Sequence, residues 1–199
     1  MSIGDTTLIL PNEQALVARA KADPAAFAVI YNLYYPRIFN YVMMRQGDPD
    51  AANDVTAEIF ERVLNTLGRY QPDRGDFGGW VFIIARNQVN GYQRAAKRRR
   101  WLPLAWIDDL PERDPGPEAV TAMREEHARL LDAVQLLAAH EQEIFALKFG
   151  AELTNRQIAQ LVGRSESNVG VIVYRGLRML RKLLEDAETA VSKDKEAQE

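Results

Sequence analysis

Two Asp-Pro dipeptides, Asp23-Pro24 and Asp48-Pro49, constrain the first half of this chain more than any other feature. Aspartate at an N-cap accepts a backbone N–H that would otherwise have no partner. Proline at the first helical position has no N–H to lose, and its φ already suits the helix. Each pair is a helix start. Gly47 lies just before the second pair and is free to take the left-handed conformation that ends a helix. The spacing predicts one helix from Pro24 to about Gly47 and another from Pro49 that ends by Gly68. The first carries Phe27, Ile30, Tyr31, Tyr34, Ile38 and Val42 on one stripe. The second does the same with Val55, Ile59, Val63 and Leu64.

Helical periodicity continues along the chain, with no convincing alternating strand pattern and no internal repeat. Residues 1–11 read as a frayed N-terminus, and Asn12 is a candidate cap for a short helix to about Ala22. Pro, Gly and Asp content makes Arg69 to Asp76 a loop. Asp76 then caps a long helix through Phe77, Trp80, Val81 and Ile84 to about Arg100. Pro103, Pro111 and Pro115 stand among acids, so residues 101–116 read as an extended, flexible linker. Pro117 opens a second helical block, 117–185. Its first helix uses Val120, Met123, Leu130, Leu131, Val134 and Leu137, and its second runs from about Glu141 to Phe149, stopping at Gly150. Two short helices and a polar tail, 186–199, complete the chain. The expected architecture is all-α: two small helical domains, 12–100 and 117–185, joined by a flexible linker.

The composition narrows the function classes. A hydrophobic share of 47% is typical of a globular chain. The sequence has no cysteine, which excludes disulfides and thiolate metal sites. His127 and His140 make no metal-ligand spacing with nearby carboxylates. No segment approaches the roughly 18 apolar residues of a membrane span. Met1 to Pro11 lacks the basic and apolar regions of a signal peptide. The expectation is a cytoplasmic chain with no membrane insertion and no cofactor.

A net charge of −3 argues by itself against nucleic acid, but the distribution argues for it. Arg86 to Arg100 holds six Lys or Arg and no acid, and Arg164 to Lys182 holds five against the single Glu166. Between them, Trp101 to Glu126 holds seven acids and two bases. Basic patches separated by an acidic segment bear on the choice of partner.

The C-terminal patch carries a helix-turn-helix pattern. Thr154 and Gln157 form a capping box, in which the hydroxyl accepts a backbone N–H and the amide reaches back. Ile158, Ala159 and Val162 share a face, Gly163 makes the turn, and Ser165 caps the next helix. Val169, Ile172 and Val173 bury that helix. Ala159, Gly163 and Val169 allow close approach, turn and packing, respectively. The second helix would enter a major groove by its start. The candidate duplex-reading residues are Arg156, Ser165, Ser167, Asn168, Gly170, Val171, Tyr174, Arg175 and Arg178. An ordinary helical hairpin with a glycine turn shares part of this pattern.

On the long helix, Arg86, Asn90, Arg94 and Lys97 fall on one face, with Asn87, Gly91 and Arg98 beside it. Complementing the helix dipole would explain the final run of cations alone. Tyr70, Phe77, Trp80 and Tyr92 lie close by, and cations with aromatic faces make a single-strand binding surface. Within that group Trp80 is assigned to core packing.

Together these segments resemble a known family. Asp48-Pro-Asp-Ala-Ala-Asn-Asp-Val-Thr-Ala-Glu-Ile-Phe-Glu-Arg-Val63 resembles the second conserved region of the extracytoplasmic-function sigma factors of bacterial RNA polymerase. Trp80-Val-Phe-Ile-Ile-Ala-Arg-Asn87, with the basic run after it, is similar to that family's promoter-melting helix, and the helix-turn-helix to its fourth region. The resemblance covers about Phe27 to Leu184. It implies that Asp50, Asp54, Glu58, Phe60 and Arg62 dock on the clamp coiled coil of the polymerase β′ subunit, and that the C-terminal domain meets the β flap. It implies that Tyr70, Arg74, Phe77, Arg86, Asn87, Asn90, Arg94, Lys97 and Arg98 hold the minus-ten element, one base of which flips into a pocket. The helix-turn-helix would read the minus-thirty-five element in duplex form. The acidic linker would thread toward the RNA exit path. Core polymerase, promoter DNA and an anti-sigma factor are the implied partners.

The chain departs from the family at Asn53 and Ala57, which stand where a glutamate and a glutamine are usual on the clamp-docking helix. Gly170 stands at a usually basic position, and Val171 and Ile172 at polar or basic ones. The loss of a bidentate guanine contact removes about 1–3 kcal/mol of discrimination. A stand-alone helix-turn-helix repressor would explain the C-terminal block but not the Arg86–Arg100 patch. A helical hydrolase lacks a nucleophile–base pair, metal cluster or phosphate-cradling loop.

Overall fold

A computed structural model describes residues 13–100 and 121–196, with the side chains of Lys97, Arg99, Arg100, 121–127 and 185–196 left out. The expected frayed N-terminus, the Asn12 cap, the linker and the Pro117 start lie outside the described residues. Eight α-helices follow one another, and no strand occurs among the described residues.

The Asp-Pro signals act as the sequence predicts. Helix α1 (Glu13–Ala20) precedes α2 (Pro24–Gln46), where Asp23 accepts from the Ala25 N–H at 2.9 Å. Gly47 closes α2 at φ 70°, donating to Met43 O. Pro36 removes one internal hydrogen bond, yet the helix continues on both sides. Asp48 starts α3 (Pro49–Thr66) by accepting from the Ala51 N–H at 3.1 Å. Two 3₁₀ turns, Leu67–Arg69 and Pro72–Arg74, form the loop to α4 (Phe77–Arg100). Asp76 caps α4 through the Gly79 N–H.

The second block holds α5 (Thr121–Gln135), α6 (Ala139–Phe145) and a π-helical turn, Ala146–Gly150. Helix α7 (Asn155–Val162) and helix α8 (Glu166–Glu196) follow. Helix α8 is not the short helix expected: it runs 31 residues, through most of the supposed polar tail. After Gly176 it meets no Gly or Pro and is rich in Leu, Lys, Glu and Ala, which favour helix.

The two blocks share a core. Ile30, Ile38, Tyr41, Ile59, Val63 and Phe82 of the first are buried in one cluster with Ile144, Leu147, Leu153 and Ile158 of the second. A smaller cluster, Ala133, Val134, Leu137, Phe145 and Leu180, belongs to the second block alone. The docked pair positions everything that follows.

Candidate nucleic-acid interface

The helix-turn-helix forms as its capping chemistry dictates. The Gln157 N–H donates to Thr154 Oγ1 at 3.3 Å, and the Thr154 N–H donates to Gln157 Oε1 at 3.0 Å. Gly163 turns the chain at φ 68°, and the Asn168 N–H donates to Ser165 Oγ at 3.2 Å. Ile158 and Val169 are fully buried, so α7 and α8 pack as one unit. This leaves Ser165, Glu166, Ser167, Asn168, Val171, Tyr174, Arg175 and Arg178 exposed at the start of α8. Arg156 is exposed on α7 and Gly170 is half-buried. Asn168 is engaged by Arg164, whose Nη1 donates to Oδ1 at 3.2 Å.

A second surface surrounds the start of α4. A cavity of about 630 Å³ is walled by the loop residues Tyr70 and Arg74 and by Trp80 and Ile83. Leu153, Gln157, Gln160 and Leu161 of the second block close its other side. Trp80 also borders a cavity of about 290 Å³, together with Arg62, Arg69, Ile84 and Asn87. An indole, the two primary amides of Asn87 and Gln88 and two guanidiniums thus line one small space. That donor set suits a base edge beside phosphates.

Sequence profiles of two families match the chain: Sigma-70 region 2 over residues 30–99 and Sigma-70, region 4 over residues 127–180. The ECF RNA polymerase sigma factor BldN of Streptomyces coelicolor is 33% identical over 172 residues, covering 86% of this chain and 65% of BldN. The ECF RNA polymerase sigma factor SigD of Mycobacterium tuberculosis is 31% identical over 176 residues, covering 84% of this chain and 81% of SigD. The chain belongs to the extracytoplasmic-function RNA polymerase sigma factors. The fold agrees with that of CnrH, solved with the cytosolic domain of CnrY. The TM-score is 0.65 at 19% identity, over 87% of this chain and 97% of that one. RpoE of Bartonella quintana, solved with the anti-sigma factor NepR, matches with a TM-score of 0.62 at 16% identity, over 80% and 96%. Among the described residues, no helix of this sigma factor is long and apolar enough to cross a membrane.

The structure sorts the residues expected to bind. Asp50, Asp54, Glu58 and Arg62 recur every fourth position and form one exposed stripe of α3. Phe60 does not join them: it is 4% exposed and lies against Tyr31, with ring centroids 4.4 Å apart. It is a packing residue between α2 and α3. Phe77 is likewise interior, edge-on to Tyr34 and Tyr70 at 5.6 and 5.2 Å, and it cannot face DNA. Tyr70 is buried, its hydroxyl donating to Gly75 O at 3.0 Å, so it braces the loop. Trp80, assigned to core packing, does pack against the core, with ring centroids 5.5 Å from Tyr70 and 5.5 Å from Phe77, and its half-buried ring also borders both cavities. Arg74, Asn87, Arg94 and Arg98 are exposed. Ile172 is 8% exposed, so its departure from a polar residue belongs to packing rather than to base reading.

Arg86 and Asn90 are occupied. Arg86 Nε donates to Glu143 Oε1 at 2.8 Å, and Asn90 Nδ2 donates to the same oxygen at 3.3 Å. Sequence reasoning missed Glu143, and it missed Arg45 beside it. Arg45 is 4% exposed and donates to Ala139 O, Gln142 Oε1, Asn90 Oδ1 and Gln93 Oε1 at 3.2, 3.1, 3.1 and 2.6 Å. One signal was available: Arg45 follows Ile38 and Val42 on the apolar stripe of α2, where a cation needs buried acceptors.

Proposed function

We propose that this chain directs core RNA polymerase to promoters and assists their melting, acting by binding and not by catalysis. One observation carries the reading. A single chain joins an exposed duplex-reading helix to a basic helix whose start borders an aromatic-walled cavity. A duplex reader would need only the first.

The exposed start of α8 reads the minus-thirty-five duplex through Ser167, Asn168, Val171, Tyr174 and Arg175, with Arg156 and Arg178 on phosphates. Gly170 contributes close backbone approach in place of a side-chain contact. The minus-ten strand lies along α4. Trp80 stacks a base extruded from the duplex, Asn87 bonds its edge, and Arg69 and Arg74 hold adjacent phosphates. Extrusion costs a few kcal/mol, which stacking at about 1–3 kcal/mol per base and edge hydrogen bonds offset. Arg94, Lys97 and Arg98 extend the phosphate track. The stripe Asp50, Asp54, Glu58 and Arg62 docks on the β′ clamp, and the second domain meets the β flap. The sigma factor works in the cytoplasm with the polymerase. An anti-sigma factor is a candidate regulator, by analogy with the NepR complex of RpoE.

Run-off transcription with core polymerase on a random promoter library tests the reading. Chain-dependent transcripts that share two sequence elements are expected. No transcription, with a chain that dimerises and binds duplex without polymerase, would establish the repressor instead. Within the sigma reading, Asn87→Ala should impair promoter opening more than initial duplex binding. Equal losses would remove Asn87 from melting.

A further inference from the structure

Helix α1 precedes the segments on which the family resemblance rests, yet it packs on α2 and α4. Val17 and Ala20 bury its apolar face. At its start, Glu13 Oε1 accepts from the Tyr34 hydroxyl at 2.6 Å, a length typical of a charge-assisted bond to a carboxylate. Tyr34 is 3% exposed, so Glu13 supplies an acceptor where water has little access. Just past its end, Lys21 Nζ donates to Tyr70 O at 3.5 Å. One short helix thus holds Tyr34 by one end and the loop before α4 by the other. Tyr34 in turn seats the first turn of α4. Phe77 lies edge-on to its ring, at 5.6 Å and 80°. A Cβ at Gly78 would come 3.1 Å from the Tyr34 hydroxyl, so α4 begins close against that oxygen. Phe77 touches two further rings, Tyr70 at 5.2 Å and Trp80 at 5.5 Å, and those two are 5.5 Å from each other. Trp80 is the ring of this set that borders both cavities.

We propose that Glu13 and Tyr34 are positioning residues for minus-ten recognition. Through Phe77, α1 sets the placement of Trp80 and hence the base preference at the extruded position. The inference rests on the minus-ten reading above and deepens it. Tyr34 is too buried to touch DNA, and the Glu13 carboxylate would repel phosphate, so both act through the indole. Rings in such a cluster favour edge-on and offset arrangements, so the tilt of one constrains the next. Loss of the Glu13 bond leaves the Tyr34 hydroxyl without its acceptor at the start of α4. The ring then shifts toward water, Phe77 follows the space it leaves, and the indole face turns with Phe77. A stacking contact depends on that face lying parallel to the base, so a turned ring discriminates less well than a seated one.

Three substitutions separate positioning from stability. Glu13→Ala removes the acceptor, Tyr34→Phe removes the donor and keeps the ring, and Glu13→Gln keeps a carbonyl that can accept. Each full-length chain is assayed with core polymerase by run-off transcription on two promoter libraries, one randomised at the minus-ten element and one at the minus-thirty-five. The assay runs below every thermal midpoint, so all chains are folded. Removal of a stacking ring costs about 5- to 150-fold per base, and a ring displaced but present should lose less, about three- to tenfold. Glu13→Ala and Tyr34→Phe should lose that much preference at one minus-ten position and keep the minus-thirty-five preference. Glu13→Gln should retain most of both. Trp80→Ala is the reference and should abolish the preference at the same minus-ten position. An unaltered minus-ten preference in Glu13→Ala and Tyr34→Phe, beside its loss in Trp80→Ala, would overturn the proposal and keep the minus-ten reading. Equal losses at both elements would also overturn it and leave α1 a stabilising helix alone. A Trp80→Ala chain with its preference intact would remove the minus-ten reading and the positioning with it.

Discussion

Replacing Gly176 with alanine sets two effects of opposite sign against each other. Alanine in place of glycine within a helix gains about 1 kcal/mol from propensity. Gly176, however, lies on α8 where it crosses Phe145 of α6. A new Cβ would overlap Phe145 Cε2 and lie 2.8 Å from Cζ and 3.1 Å from Cδ2. Carbon–carbon contacts settle at about 3.5–4.0 Å, so the ring must retreat by roughly 0.7 Å at Cζ alone. Phe145 is 2% exposed and leans on Phe149 at 5.1 Å between centroids, which limits where it can go. Such overpacking costs about 1–3 kcal/mol, and the depth of this overlap points to the upper part of that range. Gly176→Ala should therefore destabilise the protein by about 1–2 kcal/mol net, lowering the thermal midpoint by about 2–8 °C. Calorimetry measures the shift, and a double-mutant cycle identifies its source. In a Phe145→Leu background, where the ring is gone, the same substitution should become neutral or stabilising. A higher midpoint for Gly176→Ala in the parent chain would refute the reasoning, since it would mean that Phe145 yields freely and propensity wins.

Other expectations follow from single contacts. Thr154→Ala removes the cap of α7 and should cost about 1 kcal/mol, read from the urea midpoint. Arg175→Ala should weaken duplex binding and lower its salt dependence by about one counterion; an unchanged affinity and slope would place Arg175 in solvent. Burial, and then the hydrogen bond from its hydroxyl to Glu13, pushes the Tyr34 pKa above the ordinary phenol range, and burial does the same for Tyr41. The folded chain thus holds these protons more tightly than the unfolded one. Their contribution is intact below about pH 10, the unfolded value, and declines as pH rises above it. Urea midpoints measured from pH 8 upward should fall beyond pH 10, and Tyr34→Phe should flatten the fall.

What could be read from the sequence was set by neighbours close in the chain. Asp23, Asp48 and Asp76 cap helices by bonding N–H groups two or three residues ahead, so the pattern contains both partners. Gly47 and Gly163 take positive φ where helices stop, again a local event. The helix-turn-helix was legible for the same reason. The aromatic group beside α4 was not. Phe77 and Trp80 sit one turn apart and look equivalent to a helical period. Tyr34, more than forty residues away, decides between them by packing edge-on against Phe77. That contact draws Phe77 inward and leaves Trp80 at the cavity wall.

The docking of the domains shows where local reading stops. Arg45 meets Gln142 across 97 residues and Arg86 meets Glu143 across 57, with the proline-rich segment between the domains. Each of these residues, taken with its own neighbours, has an adequate explanation. Arg86 is one cation of a basic face, Glu143 one acid on a short amphipathic helix, and Gly150 a helix stop. Only the folded chain gives them a joint meaning, with Glu143 pairing with Arg86 and Gly150 allowing the backbones to meet. The basic patch on α4 is therefore divided: Arg86 is paired within the molecule, whereas Arg94 and Arg98 are exposed. An anion bound at Arg86 must displace Glu143, whereas one held by Arg94 and Arg98 need not.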